Sequence, residues 1–252
     1  NWNITLRSET NIVGGPRIGG NYYWTHDGNG FSQECTDIDG SGICDSNYTI
    51  ATGNVDGYAL VSPYASLSVS RCGYIGRDNT LYNITSFMNS TGTCINITAS
   101  RLVLNCQGNR INYSQSALGY GINVSDSKNN VTIKNCVIWE GDTTPTARSH
   151  GILLERANNN VTLLNNTVYT IAGNSSVVHA LRGGSDNMIE NNTLTATAAD
   201  SIAVYLSNAN ATIRGNLINA SGVDGREAAY GIYLDNSDNN TVANNSVYSR
   251  LS

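Results

Sequence analysis

The sequence predicts an all-β protein, a solenoid of short parallel strands preceded by a separate closing segment. Three observations carry that reading. A strand-like motif recurs from about Cys94 to the last residue, it alternates apolar and polar residues with period two, and its copies turn on a pair of polar residues dominated by asparagine. Residues 1–62 lack the motif and hold glycine, aspartate and aromatic residues instead.

The closing segment comes first. Within "DIDGSGICD", Asp37, Asp39, Ser41 and Asp45 stand at positions 1, 3, 5 and 9 of a loop, with Gly42 at position 6 and the Ile43 carbonyl at position 7. Oxygen ligands on alternate residues around a glycine turn are how a short loop wraps Ca²⁺. Asp37, Asp39, Ser41, Ile43 and Asp45 are therefore the expected calcium ligands. The bidentate glutamate of a full EF-hand is missing, its place being taken by Tyr48. The competing reading is an acidic turn tied by a disulfide. Residues 63–93 read as a linker and entry cap, and residues 94–252 as the solenoid.

Five segments of the solenoid align: "VTIKNCVI" (131–138), "VTLLNNTV" (161–168), "NMIENNTL" (187–194), "ATIRGNLI" (211–218) and "NTVANNSV" (240–247). Their corner pairs end at 136, 166, 192, 216 and 245, spacings of 30, 26, 24 and 29 residues. Ile133, Leu163, Ile189, Ile213 and Val242 form one column, and Ile138, Val168, Leu194, Ile218 and Val247 another. A second short strand precedes each: "GINV" (121), "GILL" (151), a degenerate "ALRG" (180), "SIAV" (201) and "GIYL" (231). A variant unit spans 94–111. One coil cannot bury its apolar face, whereas coils stacked ~4.8 Å apart pair every strand and build a continuous core. Asparagine suits the corner because it tolerates αL and can hydrogen-bond to the next turn.

These segments resemble the right-handed parallel β-helix proteins of the pectate-lyase-like and NosD-like type. Coils of that type read Gly-Ile-x-Val, then Asn-x-Thr-Ile-x-Asn-Asn-x-Ile. The resemblance covers about residues 94–252. It implies a right-handed helix of about six coils and speaks to fold far more than to function. Residues 1–62, with "NIVGGPRIGGNYYW" leading into "DIDGSGICDSNYTI", resemble a tail found after β-helix domains in archaeal surface proteins. In those proteins a Gly-Gly-Asn-Tyr-Trp stretch and an Asp-rich calcium loop close the helix. This chain places the segment before the coils, inserts "THDGNGFSQEC" and adds a cysteine pair. The last coil runs to Ser252 without a polar cap. The expectation is one unit of a tandem array, or subunits stacked head to tail into a filament.

Six cysteines, none in a Cys-x-x-Cys pair or at zinc-finger spacing from histidine, favour disulfides in an exported chain. Fifteen connectivities are open. The local reading pairs Cys35 with Cys44 and Cys72 with Cys94, and the repeat register sets Cys106 beside Cys136. The Asn-x-Ser/Thr pattern occurs 16 times among 36 Asn and 49 Ser or Thr, where chance gives about 7. The sites are Asn3, Asn47, Asn83, Asn89, Asn96, Asn112, Asn123, Asn130, Asn160, Asn165, Asn174, Asn191, Asn210, Asn219, Asn239 and Asn244. N-linked glycans on a subset, and a place outside the cell or on its surface, follow as expectations. A net charge of −5 with only two lysines, Lys128 and Lys134, gives no footprint for nucleic acid. No apolar run reaches the ~18–20 residues of a membrane span.

Three functions fit. The favoured one is a glycosylated structural subunit of a filament, sheath or surface layer, self-associating through a calcium-stiffened junction and without catalytic residues. The second is a carbohydrate-active enzyme using the loops at 138–150, 169–180 and 217–230. These offer Glu140, Asp142, Arg148, His150, His179, Asp224, Arg226 and Glu227, and glycoside hydrolysis needs two carboxylates about 5–9.5 Å apart. No Asp cluster or basic column marks such a site, and the bland reading is of solvated loop residues. His26, His150 and His179 read as scattered surface or turn residues. The third function is a glycan-binding adhesin module, with Trp139 a better contact than Tyr22, Tyr23 and Trp24.

Overall fold

A computed structural model describes residues 7–8, 11, 17–23, 25, 30–35, 37, 41–61, 65–141, 148–182, 184–222 and 229–251. The chain forms two compact units, Asn1–Ala65 and Ser66–Ser252.

The first unit is built on an antiparallel hairpin, Tyr48–Ala51 with Asn54–Asp56, and a single helical turn, Phe31–Glu34. Its glycines permit close approach. A Cβ on Gly19 would strike Ile43 and the Tyr58 carbonyl, and one on Gly20 would strike the Asp56 carboxylate. Asp56 is fully buried and accepts from the Asn21 and Tyr58 amides at 2.8 and 3.0 Å and from the Tyr23 hydroxyl at 2.9 Å. Tyr23 in turn lies 4.0 Å from the Tyr48 ring. The run of small and aromatic residues is thus spent on packing around one buried carboxylate.

The second unit is a β-solenoid of about six turns made of three parallel sheets. The first sheet stacks Gly73–Ile75, Ile95–Ile97, Ile122–Val124, Ile152–Leu154, Ser176–Ala180, Ile202–Ser207 and Tyr230–Asp235. The second stacks eight strands, from Ala65–Val69 and Thr80–Ile84 through Asn129–Lys134 to Thr241–Ala243. The third runs from Met88–Asn89 through Val137–Glu140 to Ser246–Leu251. Both predicted columns are in register: Ile133 pairs with Leu163, Leu163 with Ile189, Ile189 with Ile213 and Ile213 with Val242. Ile138, Val168, Leu194, Ile218 and Val247 do the same. Strands before Cys94 also join the stack, since Gly73–Ile75 pairs with Ile95–Ile97 and Thr80–Asn83 with Leu102–Asn105. One alignment needs correction. The partner of "GILL" is "SVVHA", Ile152 facing Val178, and "ALRG" only begins at the end of that strand. Small residues in a short coil had hidden the strand.

Most strands of the second and third sheets alternate inward and outward, as in Leu102–Asn105 and Ala211–Arg214, whereas Ile122–Val124 and Ile152–Leu154 of the first sheet are buried at every position. The inward Ile, Leu and Val are almost wholly buried, each contributing about 1.5–3 kcal/mol. Asparagine turns the corner between the second and third sheets in two ways. Asn135, Asn165, Asn191 and Asn244 take αL, with φ of 54–55°, and Gly215 stands in the same column at 66°. Their successors point inward. Asn166 Nδ2 donates to the Ile133 carbonyl at 3.0 Å, and Asn192 Nδ2 to that of Leu163 at 2.9 Å. Asn216 and Asn245 repeat the contact with Ile189 and Ile213. The strand register already gives these carbonyls a ladder amide, so each inward asparagine supplies a second donor to an acceptor with two lone pairs. Disulfides join Cys35 to Cys44, Cys72 to Cys94 and Cys106 to Cys136. The last two lock consecutive coils.

Candidate functional site

The loop read as a calcium site is an acidic turn satisfied by its own backbone. Asp37 is 7% exposed. Its Oδ1 accepts from the Ser41 amide at 2.9 Å and its Oδ2 from the Gly42 amide at 2.8 Å, with Gly42 at φ 81°. Ile43 is engaged in an antiparallel bridge with Leu60. Asp45 is exposed, and Asp39 lies outside the described residues. Among the described residues no three His, Cys, Asp or Glu side chains are grouped to hold a metal. The calcium expectation for Asp37, Asp39, Ser41, Ile43 and Asp45 is therefore corrected. Alternating oxygens are shared by ion-binding loops and by turns in which a carboxylate caps amides, and the amides have taken this one.

The face that gathers chemistry lies on the first sheet. In-register stacking sets Leu153 beside His179, His179 beside Tyr205, and Tyr205 beside Tyr233. Parallel coils repeat at about 4.8 Å, close to the thickness of a ring, so outward aromatic side chains stack. His179 and Tyr205 centroids are 4.6 Å apart, and those of Tyr205 and Tyr233 are 5.7 Å apart. His150, just before the Ile152–Leu154 strand, extends the column: it lies 4.1 Å from His179 and 5.8 Å from Tyr120. The two histidines are thus neither scattered nor both at the surface, and His150 is only 8% exposed. The alignment of "GILL" at 151 with "ALRG" at 180 already sets His150 level with His179, but spacing along the chain does not show that the two rings leave the same face and stack, and the true register places Leu153 beside His179.

Hydrogen bonding fixes the imidazoles. The Ser176 amide donates to His150 Nδ1 at 3.0 Å, so neutral His150 carries its proton on Nε2. Ser176 Oγ and His179 Nδ1 are 3.2 Å apart. Burial, then the neighbouring His179 ring and the Arg148 charge, push the His150 pKa down to about 3. Burial and Arg148 push that of His179 to about 4. Both rings are neutral at ordinary pH. They border a groove of about 730 Å³ on the same face.

Other residues flagged from sequence have different fates. Glu140 is a buried strand end whose Oε2 accepts from the Ile171 and Ala172 amides at 2.7 and 3.0 Å, which anchors the next loop. Burial, and then that carboxylate, raise the Tyr113 phenol well above its ordinary pKa. Asp142, Asp224, Arg226, Glu227, His26 and Trp24 lie outside the described residues. Trp139 stacks on Tyr169 at 4.2 Å under the Arg110 guanidinium, on the third sheet and away from the imidazoles.

Residues 142–251 match the family model described as "Periplasmic copper-binding protein (NosD)", a β-helix family, over less than half of the chain. No curated protein and no solved structure matches the chain. The family's description names copper, not calcium. All six cysteines are in disulfides. The His150 and His179 rings are stacked with 25° between their planes. Nitrogen lone pairs lie in the ring plane, so those of stacked rings run side by side and do not converge at the ~2 Å a bound ion requires. His150 Nδ1 is also engaged by Ser176. The sulfur of Met188 faces Arg214 on the second sheet, 3.7 Å away. These residues do not fit copper.

Proposed function

We propose that this chain is an exported, non-catalytic β-helical scaffold of a filament, sheath or surface layer, with coils of neighbouring copies stacked end to end. The observation that carries the reading is the regular stack: in three sheets each coil pairs in register with the next around one continuous apolar core, which makes a stiff, rod-like unit. In the last described coil the columns are less covered, Val242 being 49% and Val247 46% exposed where Ile213 and Ile218 are 0%. Leu234, Tyr233 and Tyr248 are uncovered beside them. Strand edges and apolar cross-sections of this kind are normally covered, by a further coil of the same chain or by a neighbouring copy. At the other end of the stack, Leu67, Tyr74 and Ile75 border a recess of about 700 Å³, a surface of different shape. Contact between unlike surfaces is heterologous and propagates.

Export is supported by three disulfides, which persist in oxidising compartments. The periplasm named in the matched family's description lies outside the cytoplasm too. No helix among the described residues is long and apolar enough to cross a membrane. The test is electron microscopy and mass photometry of the purified chain beside the variant Val242→Asp/Val247→Asp. End-to-end assemblies that vanish in the variant are expected. Monodisperse single copies of the native chain at high concentration would overturn the reading.

A further inference from the structure

The groove beside the imidazoles has a rim built by the coil repeat. Ile152, Val178 and Val204 are register partners. Four residues before each stand Arg148, Asn174 and Asp200, all exposed and all bordering the groove. Asn174 and Asp200 take αL corners, with φ of 55° and 50°. One rim therefore presents a cation, an amide and an anion on three successive coils, so Arg148 and Asp200 are separated by roughly 10 Å of backbone. The floor is formed by His150 and His179, and apolar patches come from Leu118, Leu181 and Ile202.

We infer that this groove binds a neutral saccharide of two or three sugar units. Its volume of about 730 Å³ falls in the range of small-molecule sites, and its length matches an oligosaccharide rather than a lone ion. The charged groups facing it are Arg148 and Asp200, and the titratable ones are His150, His179, Tyr120 and Tyr205. With neutral imidazoles the rim charges cancel. An anion drawn to Arg148 meets Asp200, and a cation drawn to Asp200 meets Arg148. A hydroxyl-rich ligand both donates and accepts, so it uses guanidinium, amide and carboxylate together. The Nε2–H of His150, a nearly buried ring held by Ser176, is one more donor with a fixed direction. The apolar patches suit the C–H faces of sugar rings. The inference is independent of end-to-end assembly, because none of these residues belongs to the outermost coil.

The test uses the whole chain made without glycosylation, because Asn174 lies in an Asn-x-Ser pattern. It is applied to a printed array of neutral and acidic oligosaccharides, and hits are titrated calorimetrically. Neutral glycans are expected to bind, with affinity flat across roughly pH 5 to 8, where both imidazoles stay neutral. Arg148→Gln and Asp200→Asn alter only exposed rim side chains, and Asn tolerates the αL corner. Each is expected to weaken binding about tenfold with an unchanged melting temperature. Three outcomes would overturn the inference: no neutral glycan bound, binding of acidic sugars or inorganic phosphate instead and tightening on acidification, or rim variants that bind like the native chain.

Discussion

Asn216 Oδ1 accepts two hydrogen bonds from Asn192, one from the backbone amide at 2.8 Å and one from Nδ2 at 3.0 Å. Asn166 makes the same pair to Asn192, and Asn216 makes it to Asn245. The column is a continuous ladder in which each amide side chain satisfies the coil before it. Asn192→Ala would leave the buried Asn166 amide without its acceptor and strip the Leu163 carbonyl of its second donor. The expected cost is about 2–4 kcal/mol, read as a lower urea midpoint. Asn191→Gly, one residue away, removes an exposed side chain while keeping the αL corner and is expected to cost under about 1 kcal/mol. Equal losses would show that the ladder is not what stabilises the corner.

The same corner sorts the glycosylation pattern. Asn165, Asn191 and Asn244 are exposed αL residues. Asn123 is 8% exposed, and its Nδ2 donates to Glu155 Oε1 at 2.7 Å. Peptide mapping of native material is expected to find glycans among the first three and none on Asn123. A sugar on Asn123 would contradict the burial argument.

The histidine pair makes stability depend on pH. Both pKa values are lowered on folding, to about 3 and about 4. Below the ordinary value near 6.5 the unfolded chain therefore binds protons that the folded chain refuses. The contribution is complete above pH ~6.5 and declines as pH falls toward 4, by about 1.4 kcal/mol per unit for each ring. His150→Phe with His179→Phe should flatten that slope in denaturation curves recorded through this window.

In the first unit the linkage has the same direction but a lower window. Burial pushes the Asp56 carboxyl up, but the amides of Asn21 and Tyr58 and the Tyr23 hydroxyl outweigh it and hold the pKa below the ordinary carboxylate value. Its stabilisation is present above that ordinary value and is lost as pH falls through the lower folded one. Gly20→Ala, which sets a methyl group against Asp56, is expected to destabilise this unit by about 1–3 kcal/mol. Hydrogen exchange on residues 41–61 would register the loss there and leave the solenoid unchanged.

Cys106–Cys136 closes a separation of 30 residues between adjacent coils. Loop-closure entropy puts its contribution at about 3–4 kcal/mol. Cys106→Ser/Cys136→Ser should lower the melting temperature while keeping the strand signal in circular dichroism. An unchanged melting temperature would show that the ladder and core alone set stability.

The sequence by itself determined the solenoid. A period near 24–30 residues, alternation within strands and the corner asparagines can be met together only by stacked parallel coils, and the columns of Ile133 and Ile138 could be read by alignment alone. What it could not determine is which identical residues differ in role. Asn191 and Asn192 are the same amino acid, yet one faces solvent and its neighbour carries the ladder, because backbone φ decides direction. Asp37 carried the residue pattern of a metal ligand, and only the fold showed its oxygens taken by Ser41 and Gly42. His150 and His179 lie 29 positions apart and become neighbours only when one coil settles on the next, since ring stacking and burial arise from register between coils rather than from spacing along the chain.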